Sequence, residues 1–441
     1  NVKGYVRGYD VRTGERKWIF HTIPQPGEYG HETWLNDSWR YTGNTGLWGQ
    51  VTVDLDLGLA YLPLEMPTGD YYGGHRLGDN LFGDSLVAVD LETGERVWHY
   101  QTVHHDVWDL DLPCAPILAD ITVDGRAIKA IVQPTKQGFL FVFDRVTGEP
   151  VWPIEERPVP PSDVPGEVLA PTQPYPTKPP PFDRQGIGPD DLIDFTPALR
   201  AEALEVASRY RLGPLYTPPS VATADGTYGT LMIPSSTGGP NWPGGALDPE
   251  TGIFYIYSKT QVASLGLVND LERSDMDFIR GRPTGVNAAL AALNVSGLPL
   301  VKPPWGRITA IDLNVGEILW QVAHGETADR VRDHPALEDF DIPRTGRVGR
   351  VGTLVTKTLV IAGDGGVFTS ADERQGARLR AYDKLTGQEI DAVFMPSSQT
   401  GSPMTYSIDG VQYIVVAVGG GTYAGELLAY RLPESEDDGG A

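Results

Sequence analysis

Two histidines and three aspartates fall within the eight residues from His104 to Asp111, the segment best suited to chemistry. Asp109 and Asp111 are two residues apart, so on an extended strand their carboxylates point to the same side. Paired carboxylates can hold Ca²⁺ or provide a general base. His104 and His105 point to opposite sides there, which makes them poor ligands for one metal. The alternative is a turn whose aspartates cap backbone groups and whose histidines pack structurally.

Three further positions combine reactive or flat side chains with unusual surroundings. Lys136 precedes an apolar run at residues 139–143, where it either carries a buried charge or extends its stem to solvent. Trp48 lies between glycines that let a flat group approach, unless it packs between sheets. Asn241 and Trp242 lie in a glycine-rich stretch that is either a binding loop or a plain turn. That stretch lacks the strand-to-helix context of a dinucleotide fingerprint, which argues against nucleotide binding.

One phrase recurs along the chain: an aspartate, two variable residues, Thr-Gly, and then tryptophan or another large apolar residue. Copies begin at Asp10, Asp90, Asp144, Asp248, Asp312 (with Val-Gly) and Asp383. The aspartate can accept backbone N–H bonds in a tight turn, and the glycine supplies a positive φ. The aromatic residue after the turn is expected to pack between neighbouring sheets. Repeated sheets of this kind predict an all-β propeller, rather than unrelated hairpins that share turn chemistry.

An insertion at residues 153–213 interrupts the repeat. Its first part is rich in proline, which predicts an extended loop on the surface. Its second part predicts a helix that begins after Thr196 as N-cap, runs to about Tyr210 and stops by Gly213.

Composition limits the classes of partner. The 441 residues carry a net charge of −23, from 35 basic and 58 acidic residues. This charge argues against binding to nucleic acid or to anionic lipid. The single cysteine, Cys114, excludes an intrachain disulfide. Residues 1–433 are predicted to form one propeller domain, and residues 434–441 a flexible acidic tail.

Together these phrases resemble the PQQ-dependent dehydrogenases, and especially the glucose-dehydrogenase-like quinoproteins. The matching stretches are residues 6–10, 69–76, 104–111, 119–125, 136–144, 214–219, 238–245, 305–312 and 403–406. The most specific is the His-His-Asp-x-Trp-Asp phrase, followed 27 residues after Asp109 by Lys136. The resemblance implies an eight-bladed β-propeller, and the chain is expected to lack the N-terminal blades.

The resemblance also assigns the metal and the base. Asp109 matches the family's catalytic aspartate, which takes the substrate hydroxyl proton and binds the divalent cation. Asp111 matches an extra metal-binding carboxylate of some relatives. Many relatives carry Thr-Gly-Asn where this chain reads Leu64-Glu65-Met66. The soft thioether of Met66 cannot replace that asparagine as ligand of a hard cation, and Glu65 would face away from it on a strand.

The cofactor contacts follow from the same resemblance. Trp48 matches the tryptophan whose ring stacks on PQQ. Lys136 matches the basic residue beside the quinone carbonyls, where it stabilises the charge that develops as hydride arrives. Asn241 and Trp242 match the loop that borders the cofactor.

The resulting hypothesis is a PQQ-dependent oxidoreductase of the periplasm. It would oxidise a sugar, polyol or alcohol hydroxyl by hydride transfer to PQQ, with Ca²⁺, Mg²⁺ or a lanthanide as Lewis acid. Electrons would pass to a respiratory acceptor, a quinone or a cytochrome. Two alternatives stay open: a propeller scaffold without cofactor, and an inactive fragment of the enzyme.

Overall fold

The computed structural model describes residues 2–431, and the predicted tail at 434–441 lies outside them. The described chain is predominantly β. In chain order the strands are β1 (Val6–Tyr9), β2 (Arg16–Phe20), β3 (Thr52–Asp54), β4 (Leu59–Pro63), β5 (Ser85–Asp90), β6 (Arg96–Gln101), β7 (Ile117–Val123), β8 (Arg126–Pro134), β9 (Leu140–Asp144), β10 (Ile154–Pro158), β11 (Thr172–Pro176), β12 (Ser220–Val221), β13 (Thr230–Met232), β14 (Gly245–Asp248), β15 (Ile253–Lys259), β16 (Ala263–Val268), β17 (Ile279–Arg280), β18 (Asn294–Val295), β19 (Leu298–Pro299), β20 (Gly306–Asp312), β21 (Glu317–Ala323), β22 (Leu354–Val355), β23 (Leu359–Gly363), β24 (Phe368–Thr369), β25 (Gln375–Asp383), β26 (Glu389–Met395), β27 (Met404–Ile408), β28 (Val411–Gly420) and β29 (Tyr423–Arg431). The α-helices are α1 (Pro197–Ala207) and α2 (Asp329–Arg332).

Most strands belong to a succession of small antiparallel sheets. These are β1–β2, β3–β4–β5–β6, β7–β8–β9, β14–β15–β20–β21, β22–β23–β25–β26 (with β24 on β25) and β27–β28–β29. Within each sheet, strands adjacent in space follow one another in sequence, apart from insertions. The large insertion between β15 and β20 supplies β16, which pairs with β12, β13 and β17 in a separate sheet.

The repeated aspartate phrase forms the tight turns that the sequence predicts. In the turn after β5, Asp90 Oδ1 accepts backbone N–H bonds from Glu92 and Thr93, both at 2.9 Å. Gly94 follows with φ 72°, a left-handed conformation that glycine adopts without steric cost. The turns that begin at Asp10 and Asp383 have the same bonds.

Three of the tryptophans that follow these turns join their sheet to the next one, as predicted. Trp18 Nε1 donates to Leu91 O at 3.0 Å, and Trp98 Nε1 donates to Arg145 O at 3.0 Å. Trp320 Nε1 makes the equivalent bond at 3.1 Å. Each indole also packs on the turn glycine of the following sheet. One short motif therefore fixes both the hairpin and the spacing between sheets.

The core lies between successive sheets. One cluster joins Tyr255 and Ile308 of one sheet to Val360 and Tyr382 of the next. Strand β15 is buried along its whole length, since both of its faces meet neighbouring layers. This explains why its sequence is a nearly continuous apolar run.

The insertion differs in part from the prediction. The proline-rich part contains a paired hairpin, β10 with β11, where a wholly extended loop was expected. Helix α1 has the predicted N-cap, because the Thr196 hydroxyl accepts from Leu199 N at 3.1 Å. The helix ends at Ala207, before the predicted stop. No helix in residues 2–431 is long and apolar enough to cross a membrane.

Candidate functional site

The candidate site lies at one end of the sheets, where two kinds of connection meet. In a four-stranded antiparallel sheet, the link between the second and third strands and the exit to the next sheet lie at the same end. Lys136 is in the link between β8 and β9. Trp48, Asp109 and Asp111 are in connections that lead from one sheet to the next. The alternation of strand direction therefore brings these four residues together.

Lys136 is the centre of the cluster. Its Nζ donates to Asp109 Oδ1 at 2.6 Å and to Asp111 Oδ2 at 3.0 Å. It also donates to the backbone oxygen of Asp109 at 2.8 Å. The lysine side chain is 4% exposed, against 24% and 11% for the two aspartates. One buried ammonium thus holds two carboxylates whose remaining surface faces the site.

Trp48 completes the cluster with a flat surface. Its Nε1 donates to Asp111 Oδ2 at 3.2 Å, and its ring centroid is 5.8 Å from Lys136 Nζ. Trp48 remains 43% exposed, whereas Trp98, which joins two sheets, is 5% exposed. Its indole is therefore held at the edge and free to contact a planar molecule.

The segment that carries the two aspartates is a locked turn, not the extended strand that the sequence analysis assumed. Asp106, which is buried, accepts from Trp108 N at 2.7 Å and from Leu110 N at 2.6 Å. Trp108 Nε1 donates to Thr217 O at 2.9 Å. Asp109 itself has φ 61°, a left-handed conformation that is costly for aspartate and is imposed by these surroundings.

The two histidines have separate partners. His105 Nε2 lies 2.7 Å from Glu167 Oε1 in a buried pair. His104 contacts Gln101 at 2.9 Å and Glu156 at 3.1 Å. They orient the segment and share no site with each other.

The glycine-rich loop at 238–245 packs directly against Lys136. Gly239 N donates to Lys136 O at 2.9 Å. The amide of Asn241 is used within the loop, since its Nδ2 donates to Thr237 O at 2.7 Å and its Oδ1 accepts from Trp242 N at 2.8 Å. The loop therefore meets Lys136 through Gly239, and the described contacts include no bond from Asn241 or Trp242 to the charged groups of the cluster.

Burial raises the pKa of three carboxyl groups in this region, those of Asp109, Asp106 and Asp84. It raises the pKa of Asp109 to about 7, although the charge of Lys136 acts in the opposite direction. Burial likewise raises the pKa of Asp106 to about 7 and that of Asp84 well above its usual value. Burial lowers the pKa of Lys136, but the carboxylates of Asp111 and Asp109 outweigh it and the net shift is upward. The cluster therefore exchanges a proton near neutral pH while its lysine stays charged.

Tyr71 is a contact that the sequence analysis missed. Its hydroxyl donates to Asp109 Oδ2 at 3.1 Å and accepts from Arg280 Nη1 at 3.1 Å. The guanidinium of Arg280 also lies 5.0 Å from the centroid of the Tyr71 ring. Both oxygens of Asp109 are thus oriented by neighbouring donors.

Lys259 is a second missed residue. It ends the buried strand β15, and its Nζ donates to Thr237 Oγ1 at 2.9 Å. Burial, with the charges of Arg350 and Lys136, lowers the pKa of Lys259 to about 8. The sequence did contain a signal for Lys259, because this lysine follows an apolar run, just as Lys136 precedes one.

The residues present supply only part of a metal site. Among residues 2–431, no group of three or more His, Cys, Asp or Glu side chains is arranged to hold an ion. Met66 offers its backbone N–H, which donates to Asp111 Oδ1 at 2.9 Å. Glu65 is not on a strand, and burial followed by the charge of Asp111 raises its pKa. A hard cation prefers six or more oxygens, so Asp109 and Asp111 provide the beginning of a ligand set.

Comparison with known proteins agrees with this geometry. The sequence matches the PQQ family of glucose/ethanol/alcohol dehydrogenase β-propeller domains over residues 1–414. It is 32% identical to the quinoprotein glucose dehydrogenase of Escherichia coli, covering 98% of this chain and 54% of that protein. It is 30% identical to the glycerol dehydrogenase large subunit of Gluconobacter oxydans, covering 98% and 60%. The chain therefore spans little more than half the length of these relatives.

Solved structures support the same fold. A quinohemoprotein alcohol dehydrogenase from Pseudomonas putida superposes with a TM-score of 0.63 at 26% identity, over 96% of this chain and 53% of that one. The predicted eight blades and missing N-terminal blades stay predictions. The linked antiparallel sheets, the clustered aspartates and lysine, and the match over nearly the whole sequence agree, and the chain belongs to the PQQ β-propeller family of glucose, ethanol and alcohol dehydrogenases.

Proposed function

We propose that this protein binds PQQ at the cluster of Trp48, Lys136, Asp109 and Asp111 and oxidises a hydroxyl group of a sugar, polyol or alcohol. The observation that carries the proposal is the joint contact of Lys136 Nζ with both carboxylates, 5.8 Å from the ring of Trp48. A propeller that served only as a scaffold has no need for a buried ion cluster beside an exposed indole.

The shape and charge of the site suit the cofactor. PQQ is a planar tricarboxylate, so it requires a flat apolar surface and positive charge. Trp48 offers the surface, and Lys136 and Lys259 offer buried positive charge. Lys259 has no ion pair among the described residues, and a carboxylate of the cofactor would supply the missing counter-charge. When bound, PQQ supplies the acceptor for the hydride.

Asp109 is proposed as the general base. A base is most effective when its pKa lies near the working pH, and burial raises the pKa of Asp109 to about 7. The hydroxyl of Tyr71 and the ammonium of Lys136 hold its two oxygens in place. Asp109 would take the O–H proton of the substrate as the hydride leaves the carbon that bears this hydroxyl, and the product is a carbonyl compound. The positive charge of Lys136 stabilises the negative charge that develops beside it.

A divalent cation is part of the proposal. Asp109 and Asp111 would hold Ca²⁺, with Mg²⁺ or a lanthanide as alternatives, and the remaining ligands would come from outside these two side chains. The ion would act as a Lewis acid and keep Asp109 ionised at lower pH. Oxygen-only coordination by two carboxylates favours hard cations of this kind.

Substrate, acceptor and location are proposed from the relatives. Glucose and glycerol appear in the names of the two relatives above, and a third, from Acinetobacter baylyi, is a quinate/shikimate dehydrogenase (quinone) at 30% identity. These names support a hydroxyl-bearing substrate. A respiratory quinone or a cytochrome is proposed as acceptor, and the word quinone in the name of the third relative favours the first. A periplasmic location is proposed from the family resemblance alone.

The experiment compares wild type with Asp109→Asn, loaded with PQQ and Ca²⁺ and assayed with a dye acceptor. We expect Asp109→Asn to bind PQQ, measured by calorimetry, and to lose about 10²–10⁴-fold in turnover, the usual contribution of a general base. Asp124→Asn, in the exposed β7–β8 turn, is the matched control and should keep full turnover. Full activity in Asp109→Asn, or no PQQ binding by wild type, would exclude the proposed site.

A further inference from the structure

The proline-rich insertion meets the candidate site at two segments, the aspartate turn (residues 104–111) and the tyrosine loop (residues 69–76). Glu167, in the connection between β10 and β11, contacts both. Its side chain is 3% exposed, although the next residue, Val168, is 62% exposed. Burying a carboxylate is costly unless specific donors hold it. The contacts of Glu167 therefore show where the insertion is anchored.

The two oxygens of Glu167 bind the two segments separately. Oε1 lies 2.7 Å from Nε2 of His105, which precedes Asp109 by four residues in the aspartate turn. Oε2 accepts from Gly73 N at 2.6 Å, and Gly73 follows Tyr71 by two residues in the tyrosine loop. One carboxylate thus joins the segment that carries the proposed base to the segment that carries the hydroxyl bonded to it.

His105 is fixed at both ring nitrogens. Its Nδ1 lies 2.7 Å from Gly78 O, and its Nε2 faces Glu167. Burial raises the pKa of Glu167, but the hydrogen bond and charge of His105 outweigh it, so the net shift is downward and the carboxylate stays ionised. Gly73 packs on the same ring, since a Cβ there would lie 2.4 Å from His105 Nε2. The imidazole is therefore a rigid spacer between the aspartate turn and the tyrosine loop.

The same two segments meet again at Asp109. Its Oδ1 is held by Lys136, and the Tyr71 hydroxyl makes the one hydrogen bond to Oδ2 among the described residues, at 3.1 Å. Tyr71 and Asp109 belong to different segments, so the geometry of this bond depends on the spacing between the tyrosine loop and the aspartate turn. Glu167 bridges these segments and helps to set that spacing.

Glu167 also lies near a buried positive charge, that of Arg76. Burial lowers the pKa of Arg76, and the charge of Glu167 acts in the opposite direction. Balancing this charge would require only a negative group at position 167. Bridging the two segments requires an acceptor long enough to reach both Gly73 and His105. The two roles therefore make different demands on the side chain.

We infer that Glu167 is a positioning residue, whose carboxylate sets the spacing between the tyrosine loop and the aspartate turn and thereby orients Asp109 to remove the substrate proton. The inference rests on the proposed function, since it concerns the geometry of the proposed base. Glu167 acts through Tyr71 and gives the proline-rich insertion a role in the reaction.

Two substitutions separate positioning from charge balance. Glu167→Gln keeps the length of the side chain and an acceptor for Gly73 N, but removes the charge. Glu167→Asp keeps the charge, but is one carbon shorter and cannot reach both partners. With PQQ and Ca²⁺, positioning predicts a kcat within about threefold of wild type in Glu167→Gln and roughly 10–100-fold lower in Glu167→Asp, because misplacement by about 1 Å can cost that much. KM and PQQ affinity should change by less than about threefold in both variants. The reverse pattern in kcat would assign Glu167 to charge balance and overturn the inference.

A double-mutant cycle tests the route through Tyr71. Tyr71→Phe removes the hydroxyl that bonds to Asp109. Added to Tyr71→Phe, Glu167→Asp should lower kcat by less than about threefold, because the bond through which it acts is already absent. Glu202→Asp is the matched control in the same insertion: its carboxylate accepts from Ser296 N and Ser296 Oγ, both at 2.8 Å, and the variant should keep full turnover. Equal losses with and without the Tyr71 hydroxyl would overturn the inference.

Amide hydrogen exchange gives a readout that does not depend on turnover. In the absence of PQQ, residues 69–76 and 104–111 should exchange faster in Glu167→Asp than in wild type, while residues 197–207 of helix α1 should exchange equally. Unchanged exchange in both segments would contradict the inference. Absence of turnover in wild type would overturn the proposed function and with it the catalytic role of Glu167, whereas the other contrary results overturn the positioning role alone.

Discussion

Replacing Lys136 with methionine keeps most of the length of the side chain and removes its ammonium. The ammonium contacts carboxylates at 2.6 and 3.0 Å, and the side chain is only 4% exposed. Removal of one partner from a buried ion pair typically costs about 3–5 kcal/mol, because a buried charge is left uncompensated. We therefore expect Lys136→Met to lose roughly this much free energy of unfolding at pH 8.

The loss should depend on pH in a definite direction. Burial already raises the pKa of Asp109 to about 7, and without Lys136 it must rise further. A carboxyl whose folded pKa exceeds its unfolded value binds its proton more tightly in the folded state, so stability increases as pH falls through the folded pKa. The neutral acid needs no counter-charge. The difference in free energy of unfolding between Lys136→Met and wild type should therefore become smaller when the pH is lowered from 8 to 6.

Urea denaturation at these two pH values measures the effect, and Lys384→Met is the matched control. Lys384 pairs with Asp248 at 2.6 Å and is 9% exposed, but it lies far along the chain in a structural turn. The pKa of Asp248 is lowered: burial raises it, and hydrogen bonds from Lys384 and Thr251 outweigh that effect. Lys384→Met should lose stability equally at both pH values and keep its PQQ affinity. A free energy of unfolding for Lys136→Met within about 1 kcal/mol of the wild-type value at pH 8 would show that the proposed role of the ammonium is wrong. Full PQQ affinity in this variant would show the same.

Two other predictions concern the loop at the site and acid stability. Gly238→Ala should weaken PQQ binding at least tenfold in calorimetry, because its Cβ would lie 2.7 Å from Lys136 Cγ. Gly14→Ala is the control, because Gly14 has a φ of 72°, close to the 75° of Gly238, and open space where its Cβ would lie. Equal PQQ affinity in the two variants would contradict the argument. Burial and the charge of Arg96 lower the pKa of His99 to about 4. Between pH 6.5 and pH 4 the unfolded chain therefore binds a proton that the folded chain does not, and the free energy of unfolding falls as the pH is lowered over this range. His99→Phe should lose less stability than wild type over that range in urea denaturation, and an identical loss would refute this assignment.

The hairpins were predictable from sequence because their chemistry is local. An aspartate three residues before a threonine accepts the turn's own N–H groups, and the following glycine adopts the positive φ that the turn needs. The helix start at Thr196 was predictable for the same reason, since its cap bond spans three residues. The paired hairpin in the proline-rich insertion was not predicted, because strand pairing depends on partners outside the local pattern.

The sequence predicted which residues form the site, but not the geometry that holds them. Spacing and resemblance selected Asp109, Asp111, Lys136 and Trp48, and topology brings all four to one end of the sheets. The extended geometry assumed for the aspartates was wrong, because buried Asp106 closes a turn that no periodicity reveals. The metal ligands and the roles of these residues stay predictions.

Sequence alone thus determined the repeating hairpins, because their bonds join near neighbours in the chain. The repeated phrase also indicated which tryptophans join the sheets, although their bonding partners lie 47 to 73 residues away. Only the tertiary structure decided that Tyr71 contacts Asp109 and that Lys259 is buried without an ion pair among the described residues. These contacts join segments tens to hundreds of residues apart. Their energies depend on burial and distance, which exist only after the sheets have packed.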